Sequence, residues 1–78
     1  MDQTDKAVAE VLSLLLEQPV SAEDNISMEF NKSWDSIKHI EIIMTMEERF
    51  GVSFDAQDIP LLTSQAKLAS RIRELLHA

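Results

Sequence analysis

The first amphipathic segment of the chain occupies residues 4–17. Its polar residues fall on the opposite side of a helical wheel from its apolar ones, and Pro19 follows shortly after it. This pattern predicts a first helix that the proline ends, because proline has no backbone N–H and its ring blocks a continued helix. The apolar side consists of Ala7, Val8, Val11, Leu12, Leu14, Leu15 and Leu16.

A second amphipathic segment lies at residues 64–76. Thr63 or Ser64 precedes it, and a hydroxyl side chain at that place can accept a hydrogen bond from a backbone N–H of the first helical turn. We therefore predict a helix there as well. The residues predicted to face inward are Leu68, Ala69, Ile72, Leu75 and Leu76.

The middle segment, residues 36–50, is apolar on two sides. At about 100° per residue its apolar positions fall into two groups. A small bundle cannot easily bury both, so we expect the second group to be exposed at least in part, unless the first helix covers it or its members are only scattered surface residues. The first group, predicted to dock on the other helices, is Ile42, Ile43, Met46 and Phe50. The second group, which we name the apolar strip, is Ile37, Ile40 and Met44, with Glu41, Glu47 and Glu48 around it.

A long connection, residues 18–35, joins the first two helices. Within it Ile26, Met28 and Phe30 alternate as in a β-strand, but no second alternating segment exists to pair with them. Since a lone strand is not stable, we predict that these three residues belong to a loop and pack against the core.

A short helix of one turn is predicted near residues 56–59, closed by Pro60. Together these elements predict an all-α fold: a small four-helix bundle with three longer helices, a short third one and a long loop between helices 1 and 2. A chain of 78 residues has room for a single core, so residues 1–78 are expected to form one domain.

Composition and charge exclude several classes of function. The chain has no cysteine, which excludes disulfides and thiolate metal sites. Seven basic and fourteen acidic residues give a net charge of -7, which disfavours binding to nucleic acid or anionic lipid and favours basic partner surfaces. No apolar run approaches the ~20 residues of a membrane span. We also expect no signal peptide, because the first residues are acidic rather than basic. We expect a cytoplasmic monomer with no membrane association.

Asp35 and Ser36 stand where the middle helix is predicted to begin. Asp35 suits the N-cap position and Ser36 the first helical residue. A phosphodiester built on the Ser36 hydroxyl would lie at the positive end of the helix dipole, which favours an anion by roughly 0.3–1 kcal/mol. From local rules alone, however, an Asp-Ser pair at a helix start is explained by simple capping.

The wider context of this pair is a family resemblance. Residues 35–52 read DSIKHIEIIMTMEERFGV. This stretch resembles the acyl carrier protein family, whose signature is Asp-Ser-Leu opening a helix that runs through Glu-Glu-x-Phe. The preceding loop and residues 62–64, at the start of the last helix, match as well, so the resemblance extends over nearly the whole chain.

The resemblance implies a function and a site. In that family the serine holds 4′-phosphopantetheine, transferred from coenzyme A by a separate magnesium-dependent phosphopantetheinyl transferase. The chain would then be a stand-alone carrier, not an enzyme, that holds acyl or peptidyl thioesters and delivers them to partner enzymes of fatty acid, polyketide or nonribosomal peptide biosynthesis. Its partners would be the transferase and acyl- or aminoacyl-loading enzymes and synthases with basic docking surfaces. The attachment residue would be Ser36, and Asp35 would help to position the transfer. The docking face would be Ile37, Ile40, Glu41, Met44, Glu47 and Glu48.

The chain also departs from the family pattern. Ile37 replaces the usual leucine, Trp34 and Lys32 stand where a Leu-Gly-x tract is common, and Lys38 with His39 makes the helix start less acidic. These changes affect the identity of the partners rather than the site. For Trp34 we favour a loop anchor packed on the core over a contact with the arm or with a partner. The cargo is not specified, because carriers of different cargo share this scaffold.

An enzyme and an unmodified interaction module are the alternatives to a carrier. For an enzyme, His39 and His77 have no cysteine, glycine-rich loop or Ser/His/Asp spacing around them, and His39 is predicted to be a packed structural residue. A metal site at Glu23, Asp24 and Glu29 lacks EF-hand spacing and its glycine, so solvated loop acids are the better interpretation. The alternative that stays open is an unmodified acidic helical module that binds proteins through the apolar strip.

Overall fold

The computed structural model of the protein describes residues 3–77 and contains three α-helices there: α1 is Gln3–Leu16, α2 is Ser36–Phe50 and α3 is Gln65–Leu76. No strand occurs in this range. The all-α prediction is therefore confirmed, and the three longer helices begin and end within one residue of their predicted bounds. None of these helices is long and apolar enough to cross a bilayer.

The core lies where α1 packs against both α2 and α3. As the wheel predicted, Ile42, Ile43 and Met46 of α2 are buried, and Phe50 is partly buried against them. From α3 the buried side chains include Leu68. The remaining members of the core are Val8, Val11, Leu12, Leu16, Trp34, Phe54, Leu62, Ala69 and Ile72.

The bounds of α2 follow from its end residues. Asp35 is the N-cap, with an extended backbone and a side chain that accepts a hydrogen bond from the Lys38 N–H. At the other end Gly51 has a φ of 65°, the left-handed conformation that ends a helix and that glycine adopts without strain. The residues at its two ends thus set the bounds of α2, and Ser36 is its first residue.

The loop between α1 and α2 is only partly packed as predicted. Ile26 and Met28 are partly buried against the core, but Phe30 is 86% exposed, so the prediction for Phe30 was wrong. The reason is local: Met28–Phe30 forms a 3₁₀ turn, which replaces the two-residue alternation with a three-residue period and turns Phe30 outward. Hydrogen bonds from Met28 N–H to Thr63 O and from Gln65 N–H to Ile26 O bind this loop to the start of α3.

The short helix predicted near residues 56–59 is not confirmed as an α-helix. Among residues 3–77 its place is taken by a turn and then a single 3₁₀ turn, Ile59–Leu61. Successive i→i+3 hydrogen bonds, from Asp58 N–H to Asp55 O and from Leu61 N–H to Asp58 O, produce this tighter winding. Pro60 lies inside the turn and has no N–H to donate, which keeps the segment from continuing as a helix.

Two leucines predicted on apolar helix faces are exposed. Leu14 is 74% exposed because the apolar side of α1 is wider than the face that α2 and α3 cover, and Leu76, the last residue of α3, is 46% exposed. The wheel overestimated the width of the core at both places.

Candidate functional site

Ser36 is exposed at the first position of α2. The capping role at this helix start belongs to Asp35, whose Oδ1 accepts a hydrogen bond of 2.8 Å from the Lys38 N–H. Since a neighbouring side chain already caps the helix, the Ser36 hydroxyl is not needed to hold the fold at this point. The simple capping explanation therefore applies to Asp35 and leaves Ser36 without a structural role of that kind.

The start of α3 provides a direct comparison. There Ser64 itself is the N-cap, and its Oγ accepts a hydrogen bond of 3.2 Å from the Lys67 N–H. Ser64 is half-buried at the N-cap position, whereas Ser36 is exposed and lies one position further into its helix. The two serines at helix starts are thus used differently.

The charges around Ser36 are mixed. The N-terminus of α2 presents unpaired backbone N–H groups that favour an anion, and Lys38 in the first turn adds a positive charge. Asp35 contributes a negative charge, and Lys38 Nζ lies 3.4 Å from Glu41 Oε2 in a solvent-exposed pair. Exposed pairs of this kind are worth about 0–1 kcal/mol, so Lys38 can leave Glu41 for another anion at small cost.

The apolar strip begins one residue after Ser36 and is exposed. Ile37 is 75% exposed, Ile40 52% and Met44 63%. The opposite side of the same helix holds the buried residues of α2. The prediction that one of the two apolar groups of α2 faces solvent is confirmed.

The three acidic residues around the strip differ in their surroundings. Glu41 and Glu48 are exposed, while Glu47 is half-buried. The Oε2 atom of Glu47 accepts a hydrogen bond of 2.8 Å from the Phe54 N–H, which holds the loop that follows α2 against the helix. Glu48 is therefore an exposed charge, Glu41 is exposed in its pair with Lys38, and Glu47 is engaged within the fold.

A buried polar pair lies directly beside Ser36. Trp34 is 1% exposed and His39 is 6% exposed, and Trp34 Nε1–H donates to His39 Nδ1 over 3.0 Å. His39 Nε2 is 2.8 Å from the carbonyl oxygen of Ile59. The predictions that Trp34 packs on the core and that His39 is a packed residue are confirmed. Their hydrogen bond was missed, because helical periodicity does not reveal a partner across a helix start.

The remaining candidates show no cluster. His77 is the exposed residue after α3. Glu23, Asp24 and Glu29 are exposed, and the Asp24 carboxylate accepts a hydrogen bond of 2.9 Å from the Ser21 N–H. Across residues 3–77, no three His, Cys, Asp or Glu side chains come together in a way that would hold a metal ion.

No protein-family model matches this chain, and neither does any curated protein. The arrangement offers an exposed hydroxyl at the positive end of a helix, beside an exposed apolar strip with acids at its edge.

Proposed function

We propose that the protein is a carrier that receives a 4′-phosphopantetheine arm on Ser36 and presents the arm's cargo to partner enzymes. The observation that supports this most is the exposed Ser36 hydroxyl, left free of capping duty by Asp35 and followed at once by the exposed apolar strip. The proposal includes a four-helix arrangement of acyl-carrier type, in which the 3₁₀ turn at Ile59–Leu61 would take the place of the short third helix.

The residues at the start of α2 fit a phosphodiester. Backbone N–H groups of the first turn and the ammonium of Lys38 supply positive potential next to Ser36. Asp35 would be kept at the cap by its own hydrogen bond to Lys38 N–H. A phosphate on Ser36 can thus be accommodated without displacing any contact that the fold uses.

Attachment of the arm is a phosphoryl transfer. The Ser36 Oγ would form a bond to the phosphorus of coenzyme A that bears the pantetheine, while the bond from that phosphorus to the bridging oxygen breaks and adenosine 3′,5′-bisphosphate leaves. The hydroxyl proton would pass to a base of the transferase, since no residue of this chain is proposed to accept it. The bound arm supplies a thiol that holds an acyl or peptidyl group as a thioester.

Docking would use the apolar strip together with the exposed acids Glu41 and Glu48. Charges of this kind steer a basic partner surface and raise the association rate, and they do so less at high salt. A small contact of three apolar side chains permits rapid release, as delivery to several enzymes requires. We propose a phosphopantetheinyl transferase and loading enzymes or synthases with basic surfaces as partners. A monomer is expected because a net charge of -7 repels a second copy, and the cytoplasm remains the predicted location.

A second candidate function is an unmodified interaction module that uses only the apolar strip. It is favoured by the same exposure of Ile37, Ile40 and Met44, which needs no prosthetic group to explain it. The two functions differ in their requirement for Ser36.

The test is incubation of the protein with coenzyme A and a promiscuous phosphopantetheinyl transferase, followed by intact mass measurement. Wild type should gain one arm, and Ser36→Ala should gain none. Ser33→Ala is the matched control, because Ser33 is also exposed and lies just before α2 but outside it. This control should gain the arm as wild type does.

Failure of wild type to gain the arm, under conditions that convert a known carrier, would refute the carrier function and leave the interaction module. A gain that persists in Ser36→Ala would refute the site. If Ser33→Ala were the one variant that fails to gain the mass of the arm, the attachment site would be Ser33 in the loop before α2.

A further inference from the structure

We propose that His39 is a positioning residue for the attachment of the arm, because it joins the segment before Ser36 to the loop after α2 and so holds Ser36 in one orientation. This inference rests on the proposed carrier function. The contacts involved are those of Trp34, His39 and Ile59, which we name the Trp34–His39–Ile59 link.

The hydrogen bonds of the link fix the tautomer of His39. The indole Nε1–H of Trp34 can only donate, so the Nδ1 atom of His39 that it contacts at 3.0 Å must accept. A neutral imidazole then has its proton on Nε2, which donates to the Ile59 carbonyl oxygen at 2.8 Å. The imidazole therefore has one directional bond to each of the two segments that flank it.

Two residues of the link, Trp34 and His39, flank Ser36 in the sequence. Trp34 lies two residues before Ser36 and His39 three residues after it, and the two rings are near-parallel at 29° with centroids 6.0 Å apart. The backbone on both sides is bonded as well, from Trp34 N–H to Asn31 O at 3.0 Å and from His39 N–H to Asp35 O at 2.8 Å. Ser36 is thus an exposed residue held between two buried anchors that bind each other.

Two side chains of α2, those of Glu47 and His39, hold the loop at residues 51–62. Near its start, Phe54 N–H donates to Glu47 Oε2 at 2.8 Å, and near its end Ile59 accepts from His39. The loop therefore runs back along α2 towards Ser36 and is held there by side chains of that helix. Loss of His39 would remove one hydrogen bond from the loop and one from Trp34 at the same time, while the bond from Phe54 to Glu47 stays in place.

Packing alone does not account for a histidine at this place. An apolar side chain of similar size would fill the core without the desolvation cost of two ring nitrogens. The imidazole adds two directional hydrogen bonds, because Nδ1 accepts from the Trp34 indole and Nε2 donates to the Ile59 carbonyl oxygen. That property suits the positioning of a group that another enzyme must align for in-line attack, where a 1 Å displacement can lower a rate about 100-fold.

The test compares three substitutions. His39→Leu removes both hydrogen bonds and fills the space with an apolar side chain. His39→Asn retains an acceptor near the position of Nδ1, and His39→Gln retains a donor near the position of Nε2. Ile72→Val is the control, because Ile72 is a fully buried residue of α3 that makes none of the hydrogen bonds of the link, and its truncation lowers stability.

Two readouts are needed for each variant. The first is kcat/KM for transfer of the arm from coenzyme A, measured at a temperature where all variants are folded. The second is the NMR signal of the indole Nε1–H, which reports the link directly and without any arm, because Trp34 is the single tryptophan of the chain.

We expect His39→Leu to lower kcat/KM at least about tenfold and to shift the indole signal towards that of an unbonded N–H. His39→Asn should keep the indole signal near that of wild type, and both conservative variants should recover part of the lost rate. Ile72→Val should leave both readouts unchanged.

A wild-type rate in folded His39→Leu would overturn the inference while the carrier function stands. An equal loss of rate in Ile72→Val would show that His39 matters only for stability and would also overturn it. If wild type itself accepts no arm, the carrier function fails and this inference fails with it. The loading of wild type therefore separates the two failures.

Discussion

The hydrogen bond between Trp34 and His39 is open to a double-mutant cycle on stability. Trp34→Phe keeps an aromatic ring but removes the indole N–H that donates to His39 Nδ1, and His39→Leu removes the acceptor. Both residues are almost fully buried, so water does not replace the lost partner in either single variant. The double variant removes the bond together with both of its partners.

The expected magnitude follows from these contacts. A buried polar group left without a partner costs about 1–3 kcal/mol of unfolding free energy, and each single variant leaves one such group at the Trp34–His39 contact. His39→Leu also releases the Ile59 carbonyl, but this oxygen still accepts from the Leu62 N–H, which limits that cost. The double variant leaves neither group unpaired and so lacks both penalties, about 2–6 kcal/mol together. It should therefore be more stable than the sum of the singles predicts, by at least about 2 kcal/mol.

Urea unfolding measures the free energies of the four proteins. Far-ultraviolet circular dichroism is the suitable signal, because it follows helix content and does not require the tryptophan that Trp34→Phe removes. The slope of free energy against urea should stay the same in all four proteins, so that they share one denatured state. A matched cycle pairs Trp34→Phe with Glu48→Ala on the exposed side of α2 and should be additive to within ~0.5 kcal/mol. Equal additivity for Trp34 with His39 would refute the proposed coupling.

Three further predictions concern the start and the exposed side of α2. Asp35→Ala should lower the unfolding free energy by about 0.5–2 kcal/mol in urea titration, while Asp35→Asn, which keeps the capping oxygen, should lower it much less; equal losses would contradict the capping role. Reversal of charge at Glu41 and Glu48 to lysine should slow arm transfer and weaken its dependence on salt, so unchanged rates at low salt would argue against the docking face. Ile40→Ser with Met44→Ser should change the stability by less than about 0.5 kcal/mol per site, because both side chains are exposed, yet raise KM for the transferase; a large loss of stability would show that the strip is packed.

Helical periodicity was sufficient to predict the three α-helices and the division of α2 into two apolar sides. It succeeded because Ile42, Ile43 and Met46 repeat at the spacing of one helix face, while Ile37 belongs to another. The capping role of Asp35 was also predictable, since it depends only on residues within the first turn.

The remaining features depend on contacts distant in sequence or on local winding. Phe30 was predicted to pack because its neighbours alternate, but the 3₁₀ turn Met28–Phe30 changed the period. The bond from Phe54 to Glu47 and the one from His39 to Ile59 appear only once the loop at residues 51–62 lies along α2. No pattern of side-chain types in the sequence specifies which backbone group such a loop will present.

The most direct test of the carrier proposal is localisation of the arm by peptide mapping. After treatment with coenzyme A and the transferase, cleavage at Lys32 and Lys38 releases residues 33–38, in which Ser33 and Ser36 are the two serine hydroxyls. Fragmentation of this peptide should place the phosphopantetheine on Ser36. An arm on Ser33 or on another peptide would contradict the assigned site, and an unmodified chain beside a fully converted reference carrier would contradict the proposed function.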